Sequence, residues 1–159
     1  MISEKLVKAF NDQIVAELWS SNLYLQMAFY LKKEGWNGFA NWMLKQADEE
    51  KEHALKLADY AIKRGGEVKV GMIDVVPDGW GSLQDVFEHV YEHECHVSKL
   101  INDLVDVAVA ENDKATVEFL NWFIREQVEE EDSALSIVER LKKAGEAGAF
   151  FVDAELAKR

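Results

Sequence analysis

A single cysteine, Cys95, and a single proline, Pro77, occur in 159 residues. The first excludes an intrachain disulfide, so packing alone must hold the fold and a reducing compartment suits the chain. The second leaves long stretches free of the strongest helix breaker. Positive charge is scarce as well: 18 Lys and Arg stand against 30 Asp and Glu, a formal net charge of −12. That balance repels a phosphate backbone and an anionic membrane surface alike, so no nucleic-acid or membrane partner is expected and small cations are the favoured ones. Nowhere does an apolar run approach the roughly 18 consecutive residues of a membrane span. Glu4, Asp12 and Glu17 fall where a signal peptide needs an unbroken apolar stretch, and the expectation is a cytoplasmic protein. What the chain has in quantity is hydrophobic residues, 48% of the total, in a length that suits one domain, 1–159, with a substantial core.

The breaker residues divide the chain into helical stretches, an all-α architecture. Ser3 is a fitting N-cap for a first helix running to about Lys33, with Leu6, Phe10, Ile14, Tyr24, Ala28 and Leu31 on one face. Gly35 and Gly38 mark a turn, and Asn37 is placed to cap a second helix that ends at Gly65-Gly66. From Gly66 to Gly81 no helical period survives. Ser82-Leu83-Gln84-Asp85 resembles a capping box and opens a third helix to about Ala110; a fourth runs from about Lys114 to Lys143. Gly145 and Gly148 then precede a short apolar segment at about 146–157, which is expected to form a fifth, short helix buried against another subunit. A helix of about 28 residues is about 42 Å long, and some 16 extended residues reach about 50 Å. The Gly66–Gly81 connection can therefore cross the full length of a bundle over about 4–144 and leave the second and third helices parallel.

Within that pattern, Glu50 precedes His53 by one helical turn on the face that carries Phe39, Met43, Ala47, Ala54, Leu57 and Ala61. Each other helix repeats the anomaly. Glu17 lies in line with Ile14 and Tyr24, Glu94 lies among Val90 and Val97, and Gln127 and Glu130 fall within the Phe123–Ala134 face. A buried carboxylate costs several kcal/mol unless neutralised, and no Lys or Arg shares these inner faces. Two divalent metals held by Glu17, Glu50, His53, Glu94 and Glu130 would supply the missing charge. The four carboxylates stand about 12 to 16 residues into their helices, which puts them at one height in the bundle. Oxygen-rich, nitrogen-poor ligation suits iron or manganese better than thiolate-seeking metals.

This constellation resembles the ferritin-like di-iron carboxylate family over the whole chain, including the long crossover and the short terminal helix. Glu17, Glu94 and Glu50-x-x-His53 fit its pattern, while Gln127-x-x-Glu130 stands where a second Glu-x-x-His would be. That substitution resembles the bacterial non-haem ferritins. Bacterioferritins place a haem-binding methionine where this chain has Glu52, so no haem is expected. The resemblance implies two irons per subunit, one at Glu17, Glu50 and His53, with Glu50 bridging to a second beside Glu94 and Glu130. It implies that Gln127 hydrogen-bonds near the oxygen-binding position, that Tyr24 donates an electron with Trp122 as a possible neighbour, and that Glu49, Glu126 and Glu129 form a third iron position. The implied activity is oxidation of Fe(II) by O₂ or H₂O₂ and storage of Fe(III) as mineral in a homo-oligomer of 24 subunits.

Plainer readings compete. Tyr24 and Trp122 are ordinary core aromatics apart from their place beside the carboxylates. Glu49, Glu126 and Glu129 belong to acidic runs that are usually solvated. His89, His93 and His96 lie off the Glu94 face and read as surface or interface residues; Cys95 reads as a half-buried thiol. A peroxide-reducing rubrerythrin is disfavoured by the absence of Cys-x-x-Cys pairs, and a DNA-protecting mini-ferritin by the acidic balance. A non-catalytic helical scaffold leaves the inward carboxylates unexplained.

Overall fold

The computed structural model describes the entire chain, Met1–Arg159. It is all-helical, with α1 at Glu4–Lys33, α2 at Asn37–Lys63, α3 at Leu83–Ala110 and α4 at Lys114–Leu156. Local chemistry fixes three of the four starts. Ser3 Oγ accepts from Leu6 N at α1, Asp113 accepts from Thr116 N at α4, and Ser82 and Asp85 close a full capping box at α3. At α2 the expected Asn37 cap is not used. The helix begins at Asn37 itself, and Asp153, distant in sequence, accepts from Phe39 N at 3.0 Å.

The inward faces form two apolar clusters stacked along the bundle. One gathers Leu23–Leu31, Phe39–Ala47, Val86–Val90 and Ala134–Leu141 positions; the other gathers Leu6–Ile14, Ala54–Ala61, Val97–Ala108 and Leu120–Phe123 positions. Because early α2 meets early α3 and late α2 meets late α3, these two helices run parallel, while α1/α2 and α3/α4 are antiparallel hairpins. Residues 64–82 make the crossover. Asn11 pins this segment to α1, donating to Glu67 O at 3.2 Å and accepting from Lys69 N at 3.1 Å. Trp80 buries itself edge-on to Tyr30, whose hydroxyl donates to Gly81 O at 2.6 Å. No helix is long and apolar enough to cross a membrane.

The end of the chain packs differently from expectation. Helix α4 runs on to Leu156, broken only at Gly145, whose φ of 66° and ψ of −175° turn the chain. The helical stretch after the break, at the position expected for a short fifth helix packed on another subunit, docks on its own chain. Ala149 and Val152 join the first core cluster, and Gly38 admits Asp153 O so closely that a Cβ there would stand 1.7 Å from it. Phe151 is left 81% exposed, and Phe150, 67% exposed, meets the Trp36 ring with centroids 5.1 Å apart.

Candidate metal centre

Between the two apolar clusters lies a belt of buried polar side chains. Each helix interrupts its own apolar stripe there: Gln13, Glu17 and Ser20 on α1, Gln46, Glu50 and His53 on α2, Glu94 on α3, and Gln127 and Glu130 on α4. Glu17, Glu50 and Glu94 are each 1% exposed and Glu130 is 6% exposed. The one-turn spacing brings His53 Nδ1 to 3.2 Å from Glu50 Oε2, and Glu17 Oε2 lies 4.0 Å from the same nitrogen.

Candidate ligand atoms gather in three overlapping trios, each with its atoms within 4.8 Å of one another: Glu17, Glu50 and His53; Glu50, Glu94 and Glu130; and His53, Glu126 and Glu130. The first two share Glu50, so one carboxylate serves two adjacent positions. All five residues expected as ligands are brought together. The expected third position is not gathered in the same way. Glu126 joins His53 and Glu130, Glu129 is exposed, and the half-buried Glu49 pairs with Arg159 at 2.9 Å.

Burial makes the belt a place of high proton affinity. It pushes Glu17 and Glu50 well above the usual carboxylate range, with Glu50 adding to the effect on Glu17 and Glu94 to that on Glu50. Glu94 is raised for the same reason, and Glu130 is pushed up to about 8 by burial and then by Glu94. Tyr24, fully buried, donates to Glu94 Oε1, and its own phenol is raised by burial and by the adjacent carboxylates. Amides supply the remaining donors. Gln13 reaches Glu17 Oε1 at 2.9 Å, and Gln46 reaches Glu50 Oε1 at 3.1 Å and Glu130 Oε2 at 2.7 Å. Gln127 Nε2 lies 3.1 Å from Glu94 Oε2 and 3.3 Å from Ser98 Oγ, which leaves only its carbonyl oxygen for another partner.

Among buried side-chain nitrogen and oxygen atoms only two find no hydrogen-bond partner, Glu17 Oε2 and Glu130 Oε1. One belongs to each carboxylate trio that shares Glu50. An orphaned buried oxygen is costly, and a divalent cation in each trio would complete both at once. The donor set, almost all carboxylate oxygen with one imidazole, fits a hard or borderline ion such as iron.

Several neighbours escaped sequence reading. Gln13 and Gln46 each precede their glutamate by one turn, a spacing that was there to be read. Ser20 and His93 carried no such signal. His93 is half-buried where α1 meets α3: Ser20 Oγ lies 2.8 Å from its Nε2, its ring meets Tyr24 edge-on at 5.9 Å, and burial drops its pKa to about 4. His89 and His96 are exposed. Trp122 stands edge-on to His53 at 5.5 Å, with Lys56 Nζ 3.4 Å above its ring.

Comparison with known proteins gives matches over nearly the whole chain. A family model described as a ferritin-like domain matches residues 7–144. The chain is 62% identical to a bacterial non-heme ferritin of Bacteroides fragilis over 159 residues, covering 100% of both chains. It is 32% identical to a bacterial non-heme ferritin of Escherichia coli O157:H7, covering 99% of this chain and 96% of that one. An open-pore ferritin from the archaeon Archaeoglobus fulgidus superimposes with a TM-score of 0.98 at 50% identity, covering 100% and 99% of the two chains.

Proposed function

The chain belongs to the ferritin family, and on that premise we propose that it stores iron and oxidises Fe(II) at the buried carboxylate pair. The observation that carries this reading is the pair of orphaned oxygens, Glu17 Oε2 and Glu130 Oε1, one in each of two trios joined by Glu50. Two Fe(II) ions are the substrate. One binds Glu17, Glu50 and His53; the other binds Glu50, Glu94 and Glu130.

Binding releases protons, because the glutamates that hold them in the metal-free belt must become carboxylates to ligate. Each Fe(II) then gives up one electron. O₂ takes both with two protons and leaves as hydrogen peroxide, or H₂O₂ takes both with two protons and leaves as two waters. The carboxylates hold the products too: four acidic ligands shared between two positions favour the higher charge of Fe(III). Tyr24, hydrogen-bonded to Glu94, holds that carboxylate on one side, and Gln127 fixes its orientation from the other. Burial excludes bulk water and lowers the local dielectric, so each of these contacts acts strongly.

The same reading takes residues 1–159 as one ferritin-like domain, assembled into a homo-oligomeric shell of 24 copies in the cytoplasm with the Fe(III) mineral inside. The large exposed area of Phe150 and Phe151 supports burial against another copy.

The deciding experiment is anaerobic titration of Fe(II) into metal-free protein followed by O₂ in a stopped-flow absorbance cell, with Glu17→Ala/His53→Ala as the control. Two tight irons per chain and a fast absorbance transient absent from the control are expected. Oxidation as slow as in the control would return the chain to a non-catalytic helical scaffold.

A further inference from the structure

Arg159 reaches the iron belt from a direction that the helical pattern does not announce. Its Nη1 donates to Trp42 O at 3.0 Å, its Nη2 donates to Gln46 Oε1 at 3.1 Å and to Glu49 Oε1 at 2.9 Å, and its guanidinium lies 4.7 Å from the centre of the Trp42 ring. The backbone that presents it is anchored. Arg159 N donates to Leu156 O at 3.3 Å, Leu156 O also accepts from Asn41 Nδ2 at 3.3 Å, and Asp153 caps α2.

Two consequences follow from donor chemistry alone. A guanidinium only donates, so the Gln46 oxygen must face Arg159 and its nitrogen must face Glu50 and Glu130. Arg159 and those two carboxylates therefore favour the same polarity of this amide, and the carboxylates keep it so when the guanidinium is removed. It also neutralises Glu49, the half-buried acid nearest in sequence to Glu50 and one of the three carboxylates expected at a third iron position.

Building on the iron reading above, we propose that Arg159 is a positioning residue which occupies Glu49 in place of a third divalent cation and so limits the centre to two irons until the guanidinium is displaced. A third Fe(II) at Glu49 must compete with a formal positive charge held by three hydrogen bonds and an aromatic face. The pair is partly open to solvent, with side-chain exposures of 26% and 42%, so the competition is modest and reversible. A gate of that strength delays a cation without trapping it.

The test is calorimetric titration of anaerobic Fe(II) into metal-free wild type, Arg159→Gln, Arg159→Lys, Lys158→Gln and the Arg159→Gln/Glu49→Gln double variant. All should keep two tight irons. A third iron should bind roughly fivefold more tightly to Arg159→Gln than to wild type, the scale of a partly exposed ion pair. Arg159→Lys should fall between them, since it keeps the charge and loses the fork. Lys158→Gln, which removes the same charge from the exposed neighbour, should match wild type, and the double variant should lose the gain. A third iron of equal affinity in wild type and Arg159→Gln would overturn the proposal while leaving the two-iron reading intact, as would a gain that survives loss of Glu49. Absence of two tight irons from every protein would overturn the iron reading itself, and the gate with it.

Discussion

Gln46 and Glu130 belong to different helices, α2 and α4, and the Gln46 amide nitrogen lies 2.7 Å from Glu130 Oε2 while also serving Glu50 Oε1 at 3.1 Å. One side chain thus orients a carboxylate in each arm of the proposed centre. Replacing it by leucine keeps the volume and removes the donor. Gln46→Leu is expected to weaken Fe(II) binding by about tenfold or more, the usual scale for the loss of a ligand-orienting partner. Competition with a calibrated chelator checks this, and an unchanged affinity would reduce Gln46 to a filler of space.

Proton affinity in the belt makes the stability of metal-free protein depend on pH with a definite sign. A carboxyl whose folded-state pKa exceeds its unfolded value keeps its proton in the native state. Its full contribution is present below the unfolded pKa of about 4.3 and is lost as pH rises towards the folded value. For Glu130 that window ends at about 8, and burial pushes Glu17, Glu50 and Glu94 in the same direction. Metal-free protein should therefore melt at progressively lower temperature between about pH 5 and pH 8, losing about 1.4 kcal/mol per pH unit for each proton still held. Glu130→Gln should flatten part of that slope. Bound cations invert the dependence, because ligation requires the deprotonated form. Melting curves that ignore pH across this window would contradict the buried, metal-free belt.

Much of this arrangement is legible in the sequence because one periodicity exposes a recurring anomaly. The 3.6-residue repeat shows which faces turn inward, and Glu17, Glu50, Glu94 and Glu130 stand out as acids on those faces with no basic residue beside them. Caps formed within one turn, such as Ser3 and the Ser82–Asp85 box, are equally plain. Residues that meet only through the tertiary fold are not. Asp153 caps α2 from far along the chain, Arg159 meets Glu49 by the same docking, and His93 on α3 meets Ser20 on α1. No local spacing encodes those meetings.

Tyr24 separates packing from chemistry. Tyr24→Phe keeps the ring against His93 and removes the hydroxyl that donates to Glu94. Loss of a donor to a buried acceptor costs about 1 to 3 kcal/mol, so a lower melting temperature is expected for metal-free protein. Two tight irons should remain, while oxidation after O₂ addition should slow by about tenfold if the hydroxyl supplies an electron or holds Glu94 in place. An unchanged rate with a lowered melting temperature would make Tyr24 structural only.

The docking of the final segment is tested where it is tightest. At Gly38 an added Cβ would stand 1.7 Å from Asp153 O and 2.6 Å from its carbonyl carbon, both backbone atoms that no rotamer change can move. Gly38→Ala must therefore lift residues 146–156 from α2, whereas Asp153→Ala removes only the cap on Phe39 N and should cost about 1 kcal/mol. Hydrogen exchange at Ala149 and Val152 should accelerate strongly in the first variant and slightly in the second. Since the same docking carries Arg159 to Glu49, Gly38→Ala should also bind a third Fe(II) as tightly as Arg159→Gln does. Fast exchange without that gain would show that Arg159 finds Glu49 without help from the anchored segment.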